Sequence, residues 1–364
     1  MTTSRAPQPA ARSGELMRLP AYRSTDPMPQ HTDGVIDLAN NELMLAPLPA
    51  VVESLRHGAD HVHRYPDPTA RTLHHAVSKC FATDPERVVV GPGSGAVLQQ
   101  LLLALCAPGD DVLYPWPGFD AYPLLVAQAG ARGVPVPLTA AGEHDLPAFA
   151  AKTTTRTRVV ILCSPHNPTG RRIPHTEMRA FLTALPPDIV TVVDQAYVEF
   201  DEEEDTSDLG LMHAHPRTVL LRTFSKAYGL AALRAGYAFA APDLAALGRR
   251  TMLPFSVTRL AEQAVQVSLD HSQQFTRRLA LVRRERQRLE EGLRTEGLAP
   301  LRSYGNFVWL PLGAAAERFA VAALRAGVRV RACPGEGVRI SVGDEEAHRR
   351  VLAAARDFKA AHGG

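Results

Sequence analysis

The sequence predicts an α/β protein in which a large domain, built on a mostly parallel sheet with helices on both faces, precedes a smaller α+β domain at the C-terminal end. Three observations predict it. Short apolar runs alternate with amphipathic helical stretches between residues 87 and 222; polar residues with chemical potential follow directly on those runs; and a proline-free helical stretch separates this series from a second set of strands and helices. At 364 residues the chain exceeds one ordinary domain.

The elements follow in order. Gly34 to Leu38 reads as a short extended piece leading into Asn40-Asn41-Glu42, and Leu48 to His57 as a helix. Arg64-Tyr65-Pro66-Asp67-Pro68 is a turn by its prolines, Thr69 to Phe81 a helix, and Arg87 to Val90 a short buried strand. The series continues with helix Ala96 to Cys106, strand Asp111 to Tyr114, helix Ala121 to Ala129, and strands Val134 to Pro137 and Val159 to Cys163. Helix His175 to Ala184 and strands Ile189 to Val193 and Thr218 to Arg222 complete it. Thr258 to Glu296 reads as one long helical stretch bridging to the second unit. That unit holds strand-like Asn306 to Leu310, helix Ala314 to Ala326, extended Val328 to Arg331 and Val338 to Val342, and helix Glu345 to Ala361. The expected organisation is an N-terminal segment 1–40, a large domain 41–257 and a small domain 258–364, the last completed by N-terminal residues.

Composition narrows the function. A formal net charge of +2 supplies no global field for nucleic acid or membrane, so a small-molecule partner is expected. The first 30 residues lack an apolar signal core and no run of about 18 apolar residues follows, so a cytoplasmic location is expected. Cys80, Cys106, Cys163 and Cys333 lie far apart with no CxxC pair; they read as reduced, mostly buried apolar fillers, and no metal site is expected. The acidic run Asp201 to Asp205 reads as a solvated loop. Lysine supplies only four of 40 basic residues, at 79, 152, 226 and 359. In a chain that otherwise uses arginine, a retained lysine points to work only an amine can do, such as imine formation.

In a parallel sheet, ligands bind beyond the carboxyl ends of the strands. After Val88 to Val90 comes Gly91-Pro92-Gly93-Ser94-Gly95, where small residues let helix-N-terminal amides approach a phosphate. After Val159 to Cys163 comes Ser164-Pro165-His166-Asn167-Pro168-Thr169-Gly170, a turn that leaves the Asn167 amide for a ligand. Asp194 ends an apolar strand, where a carboxylate needs a cation or a protonated ring nitrogen, and Tyr197 follows it. Thr223, Ser225, Lys226 and Arg234 supply two hydroxyls, an amine and a guanidinium, the parts needed to grip a phosphate beside a nucleophilic amine.

With these residues, and with Arg64-Tyr65-Pro66, Pro117-Gly118-Phe119 and Arg339, the chain resembles the fold-type-I aminotransferases. The resemblance is greatest to the histidinol-phosphate and aromatic (phenylalanine) branch, and runs from about Leu19 to Gly343. It implies the aspartate-aminotransferase-like fold, pyridoxal 5'-phosphate as cofactor, and ping-pong transfer of an amino group from an aromatic amino acid or histidinol phosphate to a 2-oxo acid. Lys226 would hold the cofactor as a Schiff base and then act as the proton-moving base. Asp194 would pair with the pyridinium nitrogen; Asn167 and Tyr197 would bond the ring oxygen; Phe119 would stack on the ring. The phosphate would sit on the Gly93-Ser94-Gly95 turn with Thr223, Ser225 and Arg234. Tyr65 would reach the phosphate of a neighbouring subunit, implying a homodimer with shared sites. Arg339 would clamp the substrate carboxylate, with Arg331, Tyr22 and Asn41 also at the substrate.

The chain departs from the family's pattern at Leu43-Met44, Trp116, His166 and Gln195, which implies altered walls near the substrate and a divergent, specialised one. A different reaction on the same scaffold, oxidation or elimination, shares the same machinery. A non-catalytic binding protein is disfavoured by intact Lys226, Asp194 and Arg339. A dinucleotide-dependent dehydrogenase is disfavoured because Gly91-Pro92-Gly93-Ser94-Gly95-Ala96 lacks the GxGxxG spacing.

Overall fold

A computed structural model of the chain describes residues 34–203 and 209–362. Its centre is a seven-stranded sheet made of β2 (Val88–Gly91), β3 (Asp111–Trp116), β4 (Arg132–Pro137), β5 (Thr157–Cys163), β6 (Val190–Asp194), β7 (Thr218–Thr223) and β8 (Gly236–Phe239). The strand order is β2-β8-β7-β6-β5-β3-β4, and only β8 runs antiparallel to its neighbours. The carboxyl ends of β2, β3, β5, β6 and β7 therefore open on one edge of the sheet, which is where the predicted site residues follow in sequence.

Both faces are covered, as the continuous apolar strands require. Val88, Val90, Val160, Leu162 and Leu220 enter one core, while their neighbours Val89, Val159, Ile161, Val219 and Leu221 enter the other. The first core is closed by α1 (Pro49–Ala59), α2 (Arg71–Cys80) and α6 (His175–Ala184), with α5 (Leu146–Lys152) adding Phe149. The second is closed by α3 (Ser94–Leu105), α4 (Tyr122–Gln128) and α8 (Pro242–Arg250).

The expected single helix over Thr258 to Glu296 is two helices, α9 (Arg259–Asp270) and α10 (Ser272–Thr295), broken at His271. Ala261, Ala264 and Val265 of α9 belong to the same core as α1 and α2, whereas α10 begins in that core with Leu279 and Val282 and ends with Leu289 and Leu293 in a third. We therefore propose that the smaller unit begins within α10 rather than at residue 258. It contains β9 (Phe307–Leu310), α11 (Ala316–Arg325), β10 (Val328–Arg329), β11 (Arg331–Cys333), β12 (Gly337–Ser341) and α12 (Glu345–His362). β1 (Ile36–Asp37) pairs in parallel with β10, so residues before the large domain complete the small one. α7 (Gly210–Ala214) lies on the large domain beside β7.

Two further expectations need correction. Only Cys163 of the four free cysteines is buried, because Cys80 falls on the outer side of α2 and Cys106 and Cys333 sit at element ends. The acidic run is not simply solvated over its described part: Asp201 is fully buried beside Arg172, and Glu202 and Glu203 pair with Arg286 and with Arg172 and Arg302. Among the described residues, no helix is long and apolar enough to cross a membrane.

Candidate active site

The strand ends and the small three-stranded sheet β11-β12-β9 enclose a cavity of about 290 Å³. Ser94, Gly95, Phe119, Asn167, Asp194 and Tyr197 line it from the strand ends, Thr223, Ser225, Lys226 and Arg234 from the segment after β7, and Arg331 and Arg339 from the small sheet. The sequence scatters these residues over 246 positions; the topology brings them to one place.

The floor is electrostatic. Asp194 ends β6 and is buried; Tyr122 Oη donates to its Oδ2 at 2.7 Å and the Ala196 amide to its Oδ1 at 3.1 Å. Both partners are neutral, and burial raises the carboxyl pKa from 3.8 to about 6. Opposite lies Lys226, whose Nζ donates to the Asn40 carbonyl at 2.9 Å and stands 5.9 Å from the centre of the Tyr197 ring. Burial, with Arg339 nearby, lowers its pKa from 10.5 to about 7, so a neutral nucleophilic amine is available near neutrality.

At one end of the cavity, Gly93 caps α3 with φ +94, and the first-turn amides of Ser94 and Gly95 have no acceptor within their own helix. Arg234 Nη1 donates to Ser225 Oγ at 3.2 Å, and the Ser225 amide donates to Thr223 Oγ1 at 3.1 Å. A Cβ on Gly93 would lie 2.5 Å from Arg234 Nη2, so only glycine lets the guanidinium and the helix end share this space. Helix amides, two hydroxyls and a guanidinium form a cup for a phosphate.

At the other end, Arg339 donates to Asn167 Oδ1 and to the Ala39 carbonyl, both neutral acceptors, while its buried Nε has no hydrogen-bond partner. Burial lowers its pKa. Such a cation is suited to an anionic ligand.

Three predicted residues do not line the cavity. Gly93 caps the helix at the cup without lining the cavity. Asn41 is buried behind the wall rather than at the substrate: its Nδ2 donates to Tyr197 Oη at 3.0 Å and its Oδ1 accepts from Ser341 Oγ, so its groups orient Tyr197. Tyr65 is 81% exposed and packs on Phe255, away from this cavity. Tyr22 lies outside the described residues. The departures from the family pattern also stand back from the ligand space. His166 is buried against His144 and Thr169, Gln195 accepts from Arg222 Nε at 2.9 Å, Leu43 and Met44 pack on the core, and Trp116 is exposed and meets the Tyr114 ring edge-on. Among the described residues, none of these four departures lines the cavity.

Sequence reasoning missed Tyr122, Glu42, Asp120 and Gly236. Tyr122 stands only three residues after Phe119, and the two rings meet edge to face at 5.4 Å. Gly236 did not: a Cβ there would lie 2.2 Å from the Ser94 amide, a contact made by chain segments 142 residues apart.

An uncompensated buried carboxylate, an amine of depressed basicity and a phosphate cup, set round one cavity on this fold, define a pyridoxal-phosphate enzyme. The family model for aminotransferase class I and II matches residues 33–354, and the chain belongs to that family. It is an aminotransferase and its cofactor is pyridoxal 5'-phosphate. It is 40% identical over 346 residues to an aromatic amino acid aminotransferase of Streptomyces avermitilis, covering 95% of this chain and 96% of the relative. To the protein of that name from Thermobifida fusca it is 41% identical over 322 residues, covering 88% and 89%. The fold matches histidinol-phosphate aminotransferase from Sinorhizobium meliloti in complex with pyridoxal-5'-phosphate, with TM-score 0.82 and 27% identity over 90% of this chain and 91% of the other. It also matches aspartate aminotransferase from Thermus thermophilus with maleate, with TM-score 0.77 and 25% identity over 89% and 92%.

Proposed function

We propose that this enzyme moves the amino group of an aromatic amino acid to a 2-oxo acid, with Lys226 as the residue that holds the cofactor and then transfers the proton. When bound, pyridoxal phosphate supplies a carbonyl carbon for imine formation and a ring that withdraws electrons from bonds at the attached carbon. The observation that carries the reading is the half-buried, carboxylate-free Arg339 on the wall that also faces Lys226: it can fix a substrate carboxylate so that the adjacent carbon lies over the amine. Asp194 would meet the protonated ring nitrogen, which explains a carboxylate buried among neutral groups. Asn167 and Tyr197 would orient the ring oxygen, Phe119 would lie on the ring face, and Ser94, Gly95, Thr223, Ser225 and Arg234 would hold the phosphate.

The aromatic donor is supported by the relatives of about 40% identity that bear that name. A homodimer with shared sites is supported by Tyr65, which with Phe255, Leu253 and Val62 forms an exposed apolar face that a second copy would cover. The test is a half-reaction: the loaded enzyme is mixed with phenylalanine, tyrosine or histidinol phosphate singly, without acceptor. Loss of the visible cofactor absorbance with one equivalent of the matching oxo product from the aromatic donors is expected. Discharge by histidinol phosphate alone would overturn the donor, and repeated turnover without any acceptor would overturn amino transfer.

A further inference from the structure

We propose that Asn41 is a positioning residue that sets the direction of the Tyr197 hydroxyl proton: it fills the acceptor side of the phenol oxygen and leaves that proton the cavity to point into. The inference deepens the role proposed for Tyr197 at the cofactor's ring oxygen and rests on it. Asn41 Nδ2 donates to Tyr197 Oη at 3.0 Å, and both side chains are buried. An amide nitrogen only donates, so the tyrosine proton cannot turn toward it. Among the described residues Tyr197 Oη has no acceptor of its own, and its ring is held edge-on by Phe307, with ring centres 5.0 Å apart. Tyr197 lines the cavity together with Asn167, so a ring oxygen placed between them would meet a hydroxyl already set as a donor.

Asn41 is held so that it presents its nitrogen and not its oxygen. Ser341 Oγ accepts from the Asn41 amide at 2.9 Å and donates its own proton to Asn41 Oδ1, which keeps the oxygen on the Ser341 side and the nitrogen on the Tyr197 side. Asn306 Nδ2 donates to the Asn41 carbonyl at 3.2 Å. The backbone is left-handed, φ 53, a conformation that asparagine tolerates better than most side chains. Ser341 stands two residues after Arg339 on β12. One strand therefore carries both the guanidinium proposed for the substrate carboxylate and the anchor of this chain of hydrogen bonds.

An Asn41 that only stabilised the fold would leave the titration of the bound cofactor unmoved. The loaded enzyme is therefore titrated with pH by its visible absorbance, which follows the proton on the imine nitrogen. That proton shares the negative charge of the ring oxygen. Once it leaves, a donor to the oxygen favours the unprotonated form, so loss of the donor raises the midpoint. Tyr197→Phe is expected to raise it by about one to two units, the value of one charge-assisted hydrogen bond. Asn41→Asp puts an acceptor where the donor stood and is expected to give a rise of similar size, by drawing the hydroxyl proton away from the cavity. Ser341→Ala frees the amide to turn over and is expected to give a smaller rise; it removes a single hydroxyl and carries the test if the buried aspartate prevents folding. Both rises should largely vanish in a Tyr197→Phe background. An unmoved midpoint in either folded variant overturns the proposal, as does a rise of equal size with and without the tyrosine hydroxyl, which would be the aspartate charge acting alone. If Tyr197→Phe itself leaves the midpoint unmoved, the ring-oxygen role of Tyr197 falls and this inference with it; if it shifts the midpoint and the other variants do not, only the inference falls.

Discussion

Asp194→Asn should change the stability of the cofactor-stripped protein and the activity of the loaded enzyme in opposite directions. Burial among neutral partners lifts the Asp194 pKa from 3.8 to about 6. A carboxyl whose pKa is higher in the folded state favours folding while protonated, and that advantage is lost as pH rises from the unfolded toward the folded value. The cost of ionisation is therefore absent below 3.8 and complete above 6. Two units amount to about 3 kcal/mol, of which about 2 kcal/mol develops between about pH 4.5 and about pH 7.5. Asparagine has nearly the same shape and does not titrate. Its stability relative to the wild type should thus rise by about 2 kcal/mol across that interval, measured by urea denaturation of both stripped proteins. On the role proposed for Asp194, the same substitution in the loaded enzyme would take the charged partner from the ring nitrogen, and kcat should fall by about 100-fold or more. A stability difference flat in pH would refute the claim that Asp194 is an uncompensated buried carboxyl.

Lys226→Ala should abolish both the visible cofactor absorbance and turnover. In the wild type, cofactor uptake by the stripped protein should accelerate as pH rises through about 7, where Lys226 loses its proton, and then level off; uptake independent of pH would contradict the depressed basicity. Arg339→Ala should raise KM for amino acids by about 100-fold, reflecting a lost charge-assisted bidentate contact, and affect histidinol phosphate much less because that donor has no carboxylate. Mixing inactive Tyr65→Ala with inactive Lys226→Ala should recover part of the activity if sites are shared between copies, since some mixed dimers then hold one intact site; no recovery under subunit exchange would count against sharing. Gly236→Ala should lower stability by about 3 kcal/mol or more, because the added methyl meets backbone rather than a movable side chain; a thermal melt within a degree of wild type would disprove that contact.

Much of the large domain was legible because β5, β6 and β7 are buried on both faces and each leads into a polar signal. Helix His175–Ala184 and the strand ending at Asp194 follow directly from that pattern. β8 was not legible: Gly236-Tyr-Ala-Phe239 is short, begins with glycine, and becomes a strand only because β2 and β7 hold it between them. The break at His271 has no proline or glycine to announce it, and the two helices differ in which core they reach, a tertiary fact. At the site, side chains that end strands were readable, while those acting through others were not. The family resemblance implied Asn41 as a substrate contact; its left-handed backbone, φ 53, turns it inward to Tyr197 and Ser341.

The phosphate end shows why the glycines and Arg234 act as one unit although the sequence separates them. Arg234 adopts φ 56, an unfavourable conformation for a side-chain-bearing residue, and so reverses the chain into β8 while sending its guanidinium back toward Ser225. Two residues later Gly236 passes directly beneath the first amide of α3, at a distance no other residue allows. Gly93, opposite, leaves room for the guanidinium. The strained turn, the close crossing and the open helix end are three parts of one constraint: a cation and a helix N-terminus must face the same small volume. Either feature alone is common in proteins that bind no phosphate. Their enforced convergence beside an amine of lowered pKa gives the cavity a polarity, with the helix end and Arg234 at one end and Arg339 at the other, and on the proposed reading Lys226 would stand between the two anions the reaction has to hold.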